Sequence, residues 1–289
     1  MTQAVPEGFR AGGRFDRWDP APPRYVVADV DGTLVGPTGV PTDAVVAAAR
    51  EAADAGIRVG FATGRMRLAV ADLWERLRLP GPHVLHNGAE VRADQRTIAS
   101  WPLPEEGVAA VLELADTLDL YVELYVEDGF LVSRWDERAR PHWELLGHDP
   151  LGVVVDPDEV DEPVLKATFG IFEPEHVAPL VDALRGAGLA AGPAGSPVTP
   201  HITYVNATDR RADKGAAMAA AAGHLDVPLA SVVAIGDAGN DAPMLALAGT
   251  AVAMGQAEPE LHEAAHLIAP SVEDDGVAAV LRAVVGWAG

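Results

Sequence analysis

Two carboxylates one residue apart, Asp29 and Asp31, close the apolar run Tyr25-Val26-Val27-Ala28 and lead straight into Gly32 and Thr33. A strand that ends in acids and breaks into a glycine turn presents them at the carboxyl edge of a sheet, where open α/β folds do chemistry. Alternate strand residues point to opposite faces, so the pair converges only if the chain leaves extended geometry at once. Gly32 and Thr33 permit that departure. Taken alone, the segment also fits a surface turn after a core strand.

Three further segments add to it. Val59-Gly60-Phe61-Ala62-Thr63-Gly64-Arg65 is an apolar strand pattern ending in a hydroxyl and a glycine, which offers Thr63 and free backbone N–H groups to a phosphate. Lys214 stands at the head of an alanine-rich helix pattern, and only Lys166 and Lys214 are lysines among 21 basic residues. Arginine has displaced lysine almost everywhere, so a retained compact ammonium points to a point-charge role, although a capping lysine is the plainer alternative. Val232-Val233-Ala234-Ile235-Gly236-Asp237-Ala238-Gly239-Asn240-Asp241 is a buried-type strand followed by two acids four apart with an amide between them. Such oxygen ligands suit Mg²⁺, which takes few carboxylates and keeps water and substrate oxygens. The regular spacing of a Ca²⁺-binding loop is missing.

Together the four segments resemble the haloacid dehalogenase superfamily of phosphohydrolases, with its four motifs in order. Leu85-His86-Asn87-Gly88-Ala89, Val252-Ala253-Met254-Gly255 and Asp275-Gly276-Val277 look like the Cof-type branch. Gln256 departs from the Asn usual in that branch after Met-Gly, and Ala238-Gly239 replaces a more polar pair. The resemblance implies a phosphatase acting on small phosphate monoesters, sugar phosphates or phosphorylated cofactors and their precursors, through an aspartyl-phosphate. Asp29 is then the nucleophile and Asp31 the general acid and base. Mg²⁺ is held by the side chains of Asp29 and Asp237 and the backbone carbonyl of Asp31, with Asp241 one step further out. Val30, Thr63, Gly64, Lys214 and Asn240 cradle the phosphoryl oxygens. A sugar phosphomutase of the same superfamily, or a phospho-ligand-binding protein without turnover, are the alternatives.

The elements that must position these residues follow a βαβ rhythm from Tyr25 to His86, which calls for a Rossmann-like, doubly wound parallel sheet. Thr42 is placed to cap the first helix and Gly56 to stop it; a longer helix is expected from Met66 to Leu79. After Asn87 the pattern turns to hairpins and helices, and from Arg211 the alternation returns. The reading is an arm over residues 1–23, loosely held; a core over 24–87 and 207–289; and an inserted α+β domain over 88–206. The run Ala190 to Pro197, rich in Gly and Pro, reads as a mobile connection. Residues 64–213 hold the insertion, whereas the stretch between Asp29 and Thr63 has room for one helix and one strand; in the family this implies a type IIB cap. Selectivity is assigned to that domain closing over the core. Within it, Arg134, Arg138, Arg140, His142 and Trp143 cluster as candidate leaving-group contacts, Arg134 and His142 foremost, against the simpler reading of a solvated helix with one buried Trp.

Composition sets the outer bounds. With 289 residues and 49% apolar content the chain can bury a sizeable core, and zero cysteines exclude disulfides, thiolate metal sites and a thiol nucleophile. A net charge of −22 repels nucleic acid and anionic membrane. No apolar stretch reaches membrane-spanning length, so the expectation is a cytoplasmic monomer or homodimer whose partner is a small-molecule phosphate ester.

Overall fold

The computed structural model describes residues 4–93, 96–195 and 199–287. The chain divides into two compact units, one built from Met1–Gly64, Asp72–Ala99 and Asp213–Gly289, the other from Arg65–Ala71 and Ser100–Ala212. Among the described residues no helix is long and apolar enough to cross a membrane.

The first unit carries a nine-stranded sheet in the order Arg10–Ala11, Leu267–Ile268, Thr250–Ala253, Val232–Gly236, Tyr25–Asp29, Arg58–Ala62, His83–Leu85, Glu90–Ala93, Arg96–Ser100. The six strands from Leu267–Ile268 to His83–Leu85 run parallel. Their residues are almost all buried, as strands covered on both faces require. Succession along the chain runs one way from Tyr25–Asp29 through Arg58–Ala62 to His83–Leu85, and the other way from Val232–Gly236 outward. The sheet therefore reverses between Tyr25–Asp29 and Val232–Gly236, and the crevice outside the carboxyl ends at such a reversal is where α/β sheets bind ligands. The helix Asp43–Asp54 begins as expected: the Thr42 hydroxyl accepts the Val45 N–H at 3.2 Å, and Gly56 at φ +83° follows its end.

Four expectations are corrected. Residues 10–18 are docked rather than loose. Arg10–Ala11 pairs antiparallel with Leu267–Ile268, the Arg14 guanidinium donates to the carbonyls of Leu245 and Ala264, and buried Trp18 donates its indole N–H to Thr250 at 3.0 Å. The hairpin Glu90–Ala93 and Arg96–Ser100 extends the core sheet instead of opening the insertion at residue 88. It zips antiparallel onto His83–Leu85 and buries Glu90 and Arg92, which pair at 2.8 Å and share Thr97. Its turn residues Asp94 and Gln95 lie outside the described residues. The long helix expected from Met66 is a 3₁₀ turn, Leu68–Val70, followed by Ala71–Leu77, because Met66 and Leu68 are drawn into the apolar cluster of the second unit. Finally, Leu189–Ala194 is a strand, paired antiparallel with Thr203–Asp209. It is an edge strand, so Gly192 and Pro193 break no ladder on its outer side. Ser196 and Pro197, which belonged to the expected connection, lie outside the described residues.

The second unit is a five-stranded antiparallel sheet in the order Leu189–Ala194, Thr203–Asp209, Lys166–Ile171, Tyr121–Val126, Gly129–Val132. Period-two alternation sorts its side chains. Val122, Leu124, Val126, Ala167, Phe169 and Ile171 face one apolar core, where the helices Glu105–Thr117 and Val177–Gly186 contribute Val108, Val111, Leu180 and Leu184. Tyr121, Tyr125, Phe130 and Val132 face the other way, against Trp143 of the helix Arg140–Leu146 and against Met66.

Candidate active site

Asp29 is the last residue of its strand and is 6% exposed. The chain leaves extended geometry immediately after it, as the acid pair demanded. Val35 donates its N–H to the Val30 carbonyl and Gly32 donates to the Val35 carbonyl, both at 2.9 Å. Gly32 sits at φ +85°, and a Cβ there would lie 2.1 Å from a carboxylate oxygen of Asp237. Only glycine lets this loop lie against the Asp237 side chain. Thr33, buried below the loop, donates its hydroxyl to the other Asp237 oxygen at 3.1 Å. Asp31 is exposed and stands apart from the carboxylate group that its neighbour joins.

That group is Asp29, Asp237 and Asp241, which offer one oxygen each within 4.8 Å of one another. Lys214 reaches into it, its Nζ 2.5 Å from Asp29 and 2.6 Å from Asp241, and is 1% exposed. The helix Lys214–His224 is held by Asp213, whose side chain accepts the Ala216 N–H at 2.8 Å. A cation in a first helical turn is unfavourable to the helix dipole, so the two carboxylates set its place. Asp241 is wholly buried and its oxygens are engaged: one takes the ammonium, the other accepts the N–H groups of Asp237 at 3.0 Å and Ala238 at 3.1 Å. It braces the loop that carries Asp237.

Charge is crowded here. Burial first, then the neighbouring Asp241, pushes the Asp237 carboxyl up to about 6. Burial also lifts Asp29 well above the usual carboxylate range; the Lys214 ammonium pulls it back only in part, and Asp241 adds to the rise. For Lys214 burial works against the charge, but Asp29 and Asp241 together outweigh it and hold the ammonium above its ordinary range. Three carboxylates against one ammonium leave a negative excess that hard, oxygen-only donors can lend to a small divalent cation.

Thr63 follows the strand Arg58–Ala62, fully buried, its N–H on the Val84 carbonyl at 2.9 Å. Its own carbonyl accepts the Asn87 N–H at 3.0 Å. The Asn240 side chain donates to Asn87 Oδ1 at 3.2 Å. Asp29, Val30, Thr63, Gly64, Lys214, Asp237, Asn240 and Asp241 thus all belong to the carboxyl edge of the parallel sheet at and beside its reversal.

Three residues of this edge carry contacts that the sequence reading did not assign: Thr33, Asn87 and Gln256. Gln256 donates to the Gly32 carbonyl at 2.5 Å and accepts the Val272 N–H at 3.0 Å, tying the acid loop to the segment beyond the last parallel strand. Its signal was the departure from Asn, since the extra methylene supplies the reach.

Arg134 and His142, in the second unit, engage different partners. Arg134 grips Asp119 through the carboxylate at 2.9 Å and the backbone carbonyl at 3.0 Å. His142 places Nδ1 3.1 Å from Glu123 and its ring 4.5 Å from that of Tyr204. Arg138 forks onto Asp136 and lies over the Phe172 ring, and Arg140 pairs with Glu137, while Trp143 is buried. The same sheet face holds a polar group the sequence did not flag. Glu123 is buried and accepts from Tyr121 and Tyr125; Lys166 lies 4.2 Å above the Tyr125 ring; Thr168 donates to Asn206 at 2.9 Å.

A doubly wound sheet with an acid loop, a hydroxyl turn, a buried lysine and a second acid loop at its reversal defines a hydrolase of the haloacid dehalogenase type. The chain belongs to that family: the family model for haloacid dehalogenase-like hydrolases matches residues 26–281. It is 29% identical over 241 residues to an HMP-PP phosphatase of Yersinia pestis, covering 83% of this chain and 86% of that protein. It is 27% identical over 259 residues to the 5-amino-6-(5-phospho-D-ribitylamino)uracil phosphatase YcsE of Bacillus subtilis, covering 90% and 94%. Among solved structures it resembles a phosphatase of this superfamily from Bacteroides thetaiotaomicron, with a TM-score of 0.75 and 26% identity over 92% of this chain and 96% of that one. A subclass IIB sugar phosphatase shares the fold, at TM-score 0.77 and 22% identity over 90% and 98%.

Proposed function

We propose that the chain is a Mg²⁺-dependent phosphatase that hydrolyses small phosphate monoesters through an aspartyl-phosphate on Asp29. The observation that carries this is the buried Asp29–Lys214–Asp241 group beside Asp237 at the sheet reversal. An oxygen of Asp29 attacks phosphorus as the bond to the leaving oxygen breaks, and Asp31 protonates the departing alkoxide. Asp31 then takes a proton from water, whose oxygen attacks the same phosphorus; inorganic phosphate leaves and Asp29 is restored. One residue serves both half-reactions, and the exposure of Asp31 suits proton exchange with solvent.

The oxygens of Asp29 and Asp237, with the Asp31 backbone carbonyl, would hold Mg²⁺, which when bound neutralises charge between a carboxylate nucleophile and a phosphate dianion. The Val30 and Gly64 N–H groups, the Thr63 hydroxyl, Lys214 and Asn240 hold the phosphoryl oxygens, and phosphoryl transfer needs such placement more than covalent versatility. The two curated relatives named above are phosphatases of small esters, which supports that substrate class.

Purified protein should release free phosphate from members of a monoester panel. Asp29→Asn keeps the shape but removes the attacking charge, so turnover of para-nitrophenyl phosphate should fall by about three orders of magnitude or more. A variant within tenfold of wild type refutes the nucleophile, and phosphate moved to a second sugar position instead of released would identify a mutase.

A further inference from the structure

The groups assigned to the phosphoryl oxygens come from three separate stretches: Thr63–Gly64, Lys214 and Asn240. One short turn, His86–Gly88, touches all three. Its main chain donates from Asn87 to the Thr63 carbonyl at 3.0 Å, and the Asn87 side-chain oxygen accepts from Asn240 at 3.2 Å. Gly64 lies so close that a Cβ on it would stand 2.8 Å from Asn87 Oδ1. On the third side, a Cβ on Gly88 would stand 2.3 Å from the carbonyl carbon and oxygen of Asp213, the residue before Lys214. The turn is thus wedged against the start of the lysine's helix.

Its backbone is unusual. His86, Asn87 and Gly88 have φ of 52°, 57° and 103°, three left-handed residues in succession of which only the last is glycine. Residues with a Cβ occupy this region at a cost, and Asn tolerates it better than most. Such geometry persists where surrounding contacts over-determine it, and here those contacts are the phosphate-holding stretches themselves.

We propose that Asn87 is a positioning residue for phosphoryl transfer, fixing the Asn240 amide and the Thr63–Gly64 turn at the spacing that a phosphoryl group requires. Asn240 is exposed, and by itself its amide is free to rotate. Accepting one of its two N–H bonds, Asn87 orients the other as a donor. The inference rests on the phosphatase reading and adds to it a residue that acts through its neighbours.

The test uses the full chain with Mg²⁺ and measures the Kd for inorganic phosphate by calorimetry and kcat/KM for para-nitrophenyl phosphate. The proteins are wild type, Asn87→Gly, Asn240→Ala and the double variant. Glycine keeps the left-handed turn and deletes only the side chain. Asn87→Gly should weaken phosphate about tenfold, the scale of one lost hydrogen bond to a charged ligand. In the Asn240→Ala background the same change should cost less than about twofold, because the two act as a unit. Unchanged phosphate affinity in Asn87→Gly, or additive losses in the double variant, overturns the proposal. A chain that binds phosphate with this coupling but releases none from any ester sinks the phosphatase reading and keeps the positioning role. A wild type that binds no phosphate sinks both.

Discussion

Lys214 and Lys166, the two lysines of the chain, are both buried, one in each unit, and their surroundings drive them in opposite directions. Lys214 is clasped by Asp29 and Asp241, and those charges overcome burial and hold its proton. Lys166 lies against the Tyr125 ring with Glu123 as its charged influence; there burial prevails and brings it down to about 8. Burial alone therefore does not say what a lysine is for. Where two carboxylates clasp the ammonium, the charge is a fixed part of the site; where they do not, it costs stability to keep.

The comparison can be broken most severely at the core. Chelation should abolish turnover. Returning Mg²⁺ at about 100 times its Kd should raise stability by about 2.7 kcal/mol, read as a higher Tm. A Tm indifferent to Mg²⁺ would mean that the crowded carboxylates are not its site.

Lys214→Met should come next. It leaves Asp29 and Asp241 buried without a counter-charge, so stability should fall by about 3–5 kcal/mol in denaturant melts. Turnover should drop at least about a hundredfold, on the scale of losing a group that stabilises developing charge.

Lys166→Met should do the reverse. A base whose proton affinity falls on folding penalises the folded state wherever it must stay charged. That penalty is full below pH 8 and disappears as the pH rises toward 10.5, where the unfolded chain also loses the proton. The shift corresponds to about 3 kcal/mol at neutral pH, from which a lost ring contact of about 1 kcal/mol is subtracted. Lys166→Met should therefore match or exceed the wild-type Tm at pH 7 and lose that advantage by pH 10. An advantage that grows with pH would contradict the assignment.

The smallest effects are expected from Arg134→Ala and His142→Ala. Hydrolysis of para-nitrophenyl phosphate should stay within about twofold, since neither residue belongs to the phosphoryl-holding set, while the ranking across a monoester panel shifts. Equal loss on every ester would instead indicate damage to the fold.

The parallel sheet and the site's acids were legible because they rest on local signals: apolar runs ending in Asp29, Thr63 and Asp237, and a lysine kept where arginine is the rule. What escaped depends on partners distant in the chain. Trp18 gives no sign in sequence that Thr250 will take its indole N–H, and Leu189–Ala194, with Gly192 and Pro193, becomes a strand only because Thr203–Asp209 lies beside it. The hairpin after Asn87 was visible as a hairpin, but its allegiance was decided by buried Glu90 and Arg92 pairing beside His83–Leu85. Asn87 itself was noticed as part of a motif, yet its reach to both Thr63 and Asn240 is a matter of three elements meeting.

The Arg10–Ala11 strand has a further bearing on how copies of this chain meet. Without it the outermost parallel strand, Leu267–Ile268, would offer open N–H and carbonyl groups on an apolar backbone, a template on which another chain could extend the sheet. With it the ladder ends in two exposed residues, one of them an arginine, too short and too charged to recruit a further strand. A variant cut back to Arg24 should accordingly self-associate in light scattering at concentrations where the full chain does not.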